Sequence, residues 1–242
     1  MKYSIIIPTL NEEKTLPELL KQLSNTELRS KFNLEVIVSD GGSIDKTILF
    51  ANKYASKVII HNNEKKQNIS QGRNSGANIA DGEILIFLNG DVLLDSPSNL
   101  FQRIQNKFNN SEYLAMTCRV CVTPSERKYS DIIFLGFYNW YFHLLNSIGL
   151  GMGRGECQIM SRDVFTKHNG YNENMAAGED FDLFKRIRKN GKIFFDKDLV
   201  VYESPRRYRK YGHTKIFFTW LLNALYVIFT NKSLSTEWEE VR

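Results

Sequence analysis

Ile84-Leu-Ile-Phe-Leu-Asn-Gly-Asp-Val92 is an apolar run of strand length that stops on a small polar tripeptide ending in a carboxylate. Strands of an open parallel sheet are buried on both faces and read as continuous apolar runs, and ligands collect in the crevice just past their carboxyl ends. Asp91 is therefore set where a ligand or a metal ion would sit. Two earlier segments repeat the pattern: Ser4-Ile-Ile-Ile-Pro-Thr-Leu-Asn-Glu-Glu13 and Leu34-Glu-Val-Ile-Val-Ser-Asp-Gly-Gly-Ser43 also pass from hydrophobic into turn-forming residues. Three strand ends are expected to converge on one polar edge.

Helical periodicity fills the gaps between these strands. From Glu12 to Leu23 the residues Leu16, Leu19, Leu20 and Leu23 share one face. A second helix is expected from about Asp45, with Ile48, Leu49 and Ala55 as its apolar side. A short strand at 57–60, a helix around 70–80 and a strand at 83–88 complete a βαβα series, which predicts an α/β fold with a Rossmann-like, mostly parallel sheet flanked by helices. Beyond residue 92 the pattern is more mixed: a strand over 113–122, an aromatic-rich stretch over 132–150, a helix over 180–189 and a strand over 193–202. The expected organisation is one domain over 1–212, divided into halves at 1–92 and 93–212, then an apolar helix and tail over 213–242.

With 242 residues and 42% hydrophobic content, the chain can bury a substantial core. The net charge is +5, and Lys and Arg crowd into 185–189 and 206–210. No nucleic-acid module accompanies that charge, so a pyrophosphate or a membrane surface is the expected partner and nucleic acid is not. Cys118 and Cys121 have C-x-x-C spacing without a second such pair, which reads as partly buried free thiols; three cysteines suit a reducing compartment. Met1-Lys2 leads straight into a core strand with no signal-peptide pattern, so the expected location is cytoplasmic. The uncharged run from Ile216 to Phe229 would be roughly 21 Å long as a helix, short of the ~30 Å hydrocarbon core. It reads as an interfacial or re-entrant helix paired with Phe134 to Leu150, making the protein peripheral to the membrane. Packing on the domain or on a second copy in a homo-oligomer is the alternative.

Five motifs, in order, carry a family resemblance: Ile7-Pro-Thr-Leu-Asn-Glu-Glu13, Asp40-Gly-Gly-Ser-Ile-Asp-Lys-Thr47, Gly72-Arg-Asn-Ser-Gly76, Asn89-Gly-Asp91 and Gly178-Glu-Asp180. Together the set resembles an inverting glycosyltransferase of family 2 with the GT-A fold. The resemblance implies transfer of a sugar from a UDP- or GDP-sugar to a hydroxyl or phosphate acceptor, lipid-linked or a cell-envelope glycan precursor. A shared fold does not establish a shared reaction. A catalytically silent module binding sugar nucleotides or lipids is a second reading. A nucleotidyltransferase is a third, and it would need a glycine-rich basic loop where this chain has Thr9-Leu-Asn-Glu-Glu13.

By this resemblance, Pro8, Thr9, Glu12, Asp40, Gly42, Arg73, Asn89 and Gly90 bind the nucleotide and donor, with Asp40 at the base and Glu12 near the ribose. Turn and cap chemistry competes for Gly42 and for neighbours such as Asp45. The family's Asp-x-Asp is here Asn89-Gly90-Asp91, which leaves Asp91 as the ligand of Mn²⁺ or Mg²⁺ and makes Asn89 a neutral hydrogen-bonding group. Glu179 and Asp180 open a helix, where the dipole favours carboxylates; the resemblance makes Asp180 the general base and Glu179 its support. An acidic pair beginning an ordinary helix is the competing reading. Gly155, Gly170 and Tyr171 are expected in the acceptor pocket. Arg206 and Arg209 are expected to close over the diphosphate, in a segment that has Tyr208 where relatives have Trp.

Overall fold

The apolar runs and their amphipathic partners form the expected parallel half. The computed structural model describes residues 1–62, 66–108, 112–175 and 177–230; the rest of the predicted tail, 231–242, lies outside them. Strands β1 (Tyr3–Thr9), β2 (Leu34–Asp40), β3 (Lys57–Ile60) and β4 (Ile84–Leu88) pair in parallel in the order β3-β2-β1-β4. In the β1–β2 register Thr9 lies opposite Asp40, so the two polar strand ends are side by side. Side chains alternate across the sheet. Ile5 and Ile7 of β1 join one core cluster with the leucines of α1 (Leu16–Leu23) and with Phe32 of α2 (Thr26–Phe32). Ile6 joins another, on the opposite face.

α1 begins at Leu16 rather than at Glu12. Residues 11–13 are drawn instead into the loop before α3 (Thr47–Tyr54), with the Asn11 and Glu12 N–H groups donating to Ser43 Oγ and Thr47 Oγ1, both at 2.7 Å. The four leucines of α1 are fully buried, as their spacing implied. The apolar side expected for α3 is not its buried side: Leu49 is 64% exposed, whereas Thr47 and Ala51 face the core. α4 (Ile69–Asn78), opened by a capping box between Asn68 and Gln71, leads on to β4.

After β4 the sheet turns mixed. The chain runs through β5 (Val92–Leu94), α5 (Pro97–Phe108), β6 (Tyr113–Val122), α6 (Tyr129–Ser147), β7 (Cys157–Ser161), α7 (Arg162–Lys167), α8 (Glu179–Arg188) and β8 (Lys192–Glu203). The full order is β3-β2-β1-β4-β7-β6-β8-β5, with β7 antiparallel to both neighbours and β5 antiparallel to β8. Phe101 of α5 packs on the α1 side of the sheet, Phe184 of α8 on the α4 side. Cys118 and Cys157 are buried free thiols.

The aromatic stretch is the helix α6, and α9 (Arg206–Tyr211) connects β8 to α10 (His213–Thr230), which lies beside it. Trp220 of α10 meets Phe134 and Tyr138 at ring-centroid distances of 5.9 and 5.1 Å. Asp131 fastens this corner, accepting from Arg209 at 2.6 and 2.8 Å, from the Lys128 backbone at 2.7 Å and contacting His213 Nε2 at 2.8 Å. Burial pushes the Asp131 carboxyl up, but those bonds outweigh it and hold the group at about 2. Among the described residues no helix is long and apolar enough to cross a membrane.

Candidate active site

A cavity of about 790 Å³ opens at the carboxyl ends of the parallel strands. Its lining includes Pro8 and Thr9 from β1, Glu12, the tripeptide Asn89-Gly90-Asp91, Gly155, Glu179 and Asp180 at the start of α8, Glu203 at the end of β8 and Arg206 at the start of α9. Asp91 and Asp180, far apart in the chain, thus face one space.

Arg73 is the reason these segments meet. It is fully buried; Nη1 donates to Glu179 Oε1 at 2.7 Å, and Nη2 donates to Asn89 Oδ1 at 3.0 Å and to the Gly155 carbonyl at 2.8 Å. The guanidinium also lies 5.0 Å from the centroid of the Tyr171 ring. A buried cation is tolerable only when paired and hydrogen-bonded, and here three distant segments supply the partners. Arg73, expected as a nucleotide contact, also lines the cavity, with its guanidinium held in place by these protein groups. Because the Asn89 oxygen is held by a donor, its amide N–H₂ is left as the group that can face a ligand.

Asp180 Oδ1 accepts from the Phe181 backbone N–H at 2.8 Å. Burial, then the neighbouring Glu179, raise its carboxyl to about 7, against the pull of Arg73. At Gly155 a Cβ would be a tight fit, 3.3 Å from Asp180 Oδ2 and 3.4 Å from Arg73 Nη2. A candidate base that is poised near neutrality, half-buried and open to a cavity fits proton abstraction.

Other expected residues fall elsewhere. Asp40 is fully buried, and its four acceptor positions are filled: Oδ1 by the N–H groups of Gly42 and Ser43, Oδ2 by the hydroxyls of Thr9 and Ser43. It closes the turn after β2, in which Gly42 has φ +96°. Ser39 and Gly41, on either side of Asp40, line the cavity in its place. Gly170 and Tyr171 do not line it either. The Tyr171 hydroxyl bonds to Gln158 and its backbone is tied to Asn74, so this segment braces Arg73 from behind. Arg209 is engaged by Asp131 and is not among the cavity-lining residues, whereas Arg206 is.

Arg206 Nη2 donates to both oxygens of Glu12 at 2.7 Å and to Asp91 Oδ2 at 3.1 Å. Burial raises the Glu12 carboxyl, and its hydrogen bond to Arg206 opposes the rise. This arrangement tests whether a divalent cation fits. Two carboxylates already converge on a positive group, so the local field favours a cation, and hard ions are often held by one or two carboxylates plus substrate phosphates. The set fits, with Asp91 as the residue that would hold the ion.

Sequence reasoning missed a second buried charge cluster in the cavity wall. Arg154 is 2% exposed; Nε donates to Glu156 at 3.1 Å, Nη2 is 3.8 Å from Glu203, and the guanidinium is 5.2 Å from the centroid of Phe142. Burial and then Glu156 push the Glu203 carboxyl well up, and Tyr208 donates to it at 2.5 Å. Of Gly153-Arg154-Gly155 only Gly155 carried an expectation, a place in the acceptor pocket. The charged residue between two glycines was the available signal.

The sheet order, with a parallel nucleotide-binding-type half ending on acidic residues, defines a GT-A-like class. Residues 4–168 match the sequence profile of Glycosyl transferase family 2, and the chain belongs to that family. It is 37% identical over 198 residues to a 4,4'-diaponeurosporenoate glycosyltransferase of Staphylococcus haemolyticus, covering 77% of this chain and 51% of that protein. It is 34% identical over 210 residues to a cholesterol galactosyltransferase of Borreliella burgdorferi, covering 80% and 57%. The chain thus spans just over half the length of each of these relatives. The fold is shared with the mannosyltransferase PcManGT of Pyrobaculum calidifontis, solved in complex with GDP-Man and Mn²⁺, at a TM-score of 0.70 and 19% identity over 95% of this chain and 64% of that one.

Proposed function

We propose that this protein is an inverting glycosyltransferase that moves a sugar from a nucleotide diphosphate donor, a UDP- or GDP-sugar, to an acceptor presented at a membrane surface. The observation that carries the reading is that Asp91 and Asp180 line one cavity, linked through the Arg73 hub. The donor diphosphate lies toward Asp91 and Arg206, and the amide of Asn89 donates to a donor oxygen. The acceptor oxygen attacks the anomeric carbon from the side opposite the diphosphate: the new C–O bond forms as the bond to phosphate breaks, and the acceptor proton passes to Asp180 Oδ2, the oxygen not engaged by Phe181. A divalent ion held by Asp91 would neutralise the departing diphosphate. Glu179 and Arg73 position Asp180. In this reading 1–92 serves the donor and 93–212 the acceptor, with α10 added to the acceptor wall.

The membrane part of the reading is supported by the outer face of the α6–α10 pair. Ile133, Trp140, Phe218 and Leu222 are 60, 57, 56 and 56% exposed there, beside a cavity whose wall the same two helices help to form. Grouped apolar exposure of this kind fits an interfacial helix pair.

Thermal stabilisation by UDP and GDP, with and without Mn²⁺, tests the donor half, and transfer by Asp180→Asn tests the chemistry. The reading requires stabilisation by one of the two nucleotides and a loss of about 10²–10⁴-fold in turnover with nucleotide affinity retained. Unchanged turnover in the variant would instead favour the silent binding module.

A further inference from the structure

The cavity has two chemically different ends. Toward Asp91 it is built from carboxylates and Arg206. Its other wall is apolar and aromatic, formed by Tyr138, Tyr141 and Phe142 of α6 and by Phe217, Trp220 and Leu221 of α10. A sugar nucleotide has no use for that wall, which therefore belongs to the second substrate.

The charges beside this wall restrict what the second substrate can be. Arg154 lies next to Phe142 with its charge offset by Glu156 through Nε, while its buried Nη1 and Nη2 have no hydrogen-bond partner among the described residues and remain as donors for an acceptor oxygen. Arg73 is likewise balanced by Glu179. Two more carboxyl groups, those of Asp180 and Glu203, face the cavity. A phosphate or carboxylate acceptor would add negative charge where the carboxyl groups of Glu156, Glu179, Asp180 and Glu203 already outnumber the buried guanidiniums of Arg73 and Arg154, and a buried charge without compensating partners is strongly disfavoured. A hydroxyl meets no such penalty, and it can donate to Asp180 before transfer.

We propose that the acceptor is an uncharged amphiphile, with an apolar chain or ring system lying between α6 and α10 and a single hydroxyl directed at Asp180. The inference rests on the glycosyl-transfer reading and narrows it: lipid phosphates and polar glycans are disfavoured, and a neutral lipid alcohol is the fitting class. Each methylene taken into the groove should tighten binding about fourfold.

The test is calorimetric titration at pH 8, with the preferred nucleoside diphosphate present, of 1-octanol, 1-decanol, decanoate and decyl phosphate. Decanol should bind roughly 15-fold tighter than octanol, and at least about tenfold tighter than either ten-carbon anion. Leu221→Glu, at a half-exposed wall position that tolerates a polar side chain, and separately Tyr141→Ala, should each weaken decanol about tenfold while leaving nucleotide affinity unchanged. Tighter binding of decyl phosphate, indifference to chain length, or both variants binding decanol as the native chain does would overturn the proposal. So would the absence of any decanol binding, the result expected if a second copy of the chain covers the groove. The two readings fail separately. Decanol binding as described, with no transfer from any UDP- or GDP-sugar, removes the transferase reading and leaves the groove. Transfer to a lipid phosphate with decyl phosphate preferred does the reverse.

Discussion

Asp180→Asn should inactivate the protein and stabilise it, because the fold holds this candidate base away from its ordinary ionisation. The carboxyl is raised to about 7 by burial and by Glu179, whereas an unfolded Asp titrates near 3.9. The folded chain therefore binds this proton more tightly than the unfolded chain does. The sign follows: ionising Asp180 destabilises the fold, with no effect below about pH 4, a growing cost between about 4 and 7, and the full cost above. Three pH units correspond to about 4 kcal/mol, an upper bound for a group that shares its surroundings with Glu179 and Arg73. Asparagine keeps the oxygen that accepts from Phe181 and loses the charge. Even half the bound would raise Tm by about 4–8 °C at pH 8 for a chain of this size. Calorimetry of the native and variant chains at pH 8 and pH 4 is the assay, and the two curves should converge at the lower pH. In the native enzyme kcat/KM should fall about fivefold from pH 7 to pH 6, as the ionised fraction of a group titrating near 7 drops. A variant less stable than native at pH 8, or a Tm difference unchanged at pH 4, would refute the argument that Asp180 is held near neutrality by its surroundings.

Arg73→Met should cost about 3–5 kcal/mol in urea denaturation, because Glu179 is left buried without its cation; a loss under 1 kcal/mol would mean that the hub does not hold the segments together. Asp131 is held at about 2, so its ion pairs stabilise the fold fully above about pH 4 and the contribution is lost as pH falls through 2. Asp131→Asn should therefore lose about 2 kcal/mol at pH 7 and match the native chain near pH 1.5, as followed by circular dichroism against denaturant. Arg206→Gln frees Asp91 from its guanidinium. Mn²⁺ alone should bind this variant severalfold more tightly than the native chain, and the nucleoside diphosphate without metal about tenfold more weakly, both by calorimetry. Equal affinities in both titrations would show that Arg206 neither guards Asp91 nor reaches the diphosphate.

What the sequence disclosed and what it withheld divide along the range of the interactions involved. The strand interiors were legible because a parallel strand is buried on both faces and must be apolar along its length, and the ends of β1 and β4 did place Glu12 and Asp91 on one cavity. The leucine face of α1 was legible through its spacing alone. α2 was overlooked although its signals are local: Asn25 caps Leu28 N–H, Leu28 and Phe32 are four apart and buried, and Asn33 ends the helix in the left-handed region. Asp40, expected at the nucleotide base, closes the turn after β2 and is not among the cavity-lining residues, for a subtler reason. A carboxylate at a strand end can face a ligand or fold back onto the next two N–H groups, and only the path of the turn through Gly42 and Ser43 decides between them.

The role of Arg73 could not be read locally at all, since its partner Glu179 is 106 residues away. Its burial also bears on the neutral Asn89 that stands where the family resemblance implies an acid. An aspartate at that position would place a third carboxylate around the Arg73 guanidinium, with Glu179 already at 2.7 Å and Asp180 close enough to add to the field. Asn89 gives Arg73 an acceptor oxygen without that charge and keeps its N–H₂ as a group that could face the cavity. Restoring the acid would add negative charge beside Asp180 and push its proton affinity higher still. The amide at 89 and the titration of Asp180 are thus linked through one buried cation, and the family motif at 89–91 is best understood together with the carboxylate at 180.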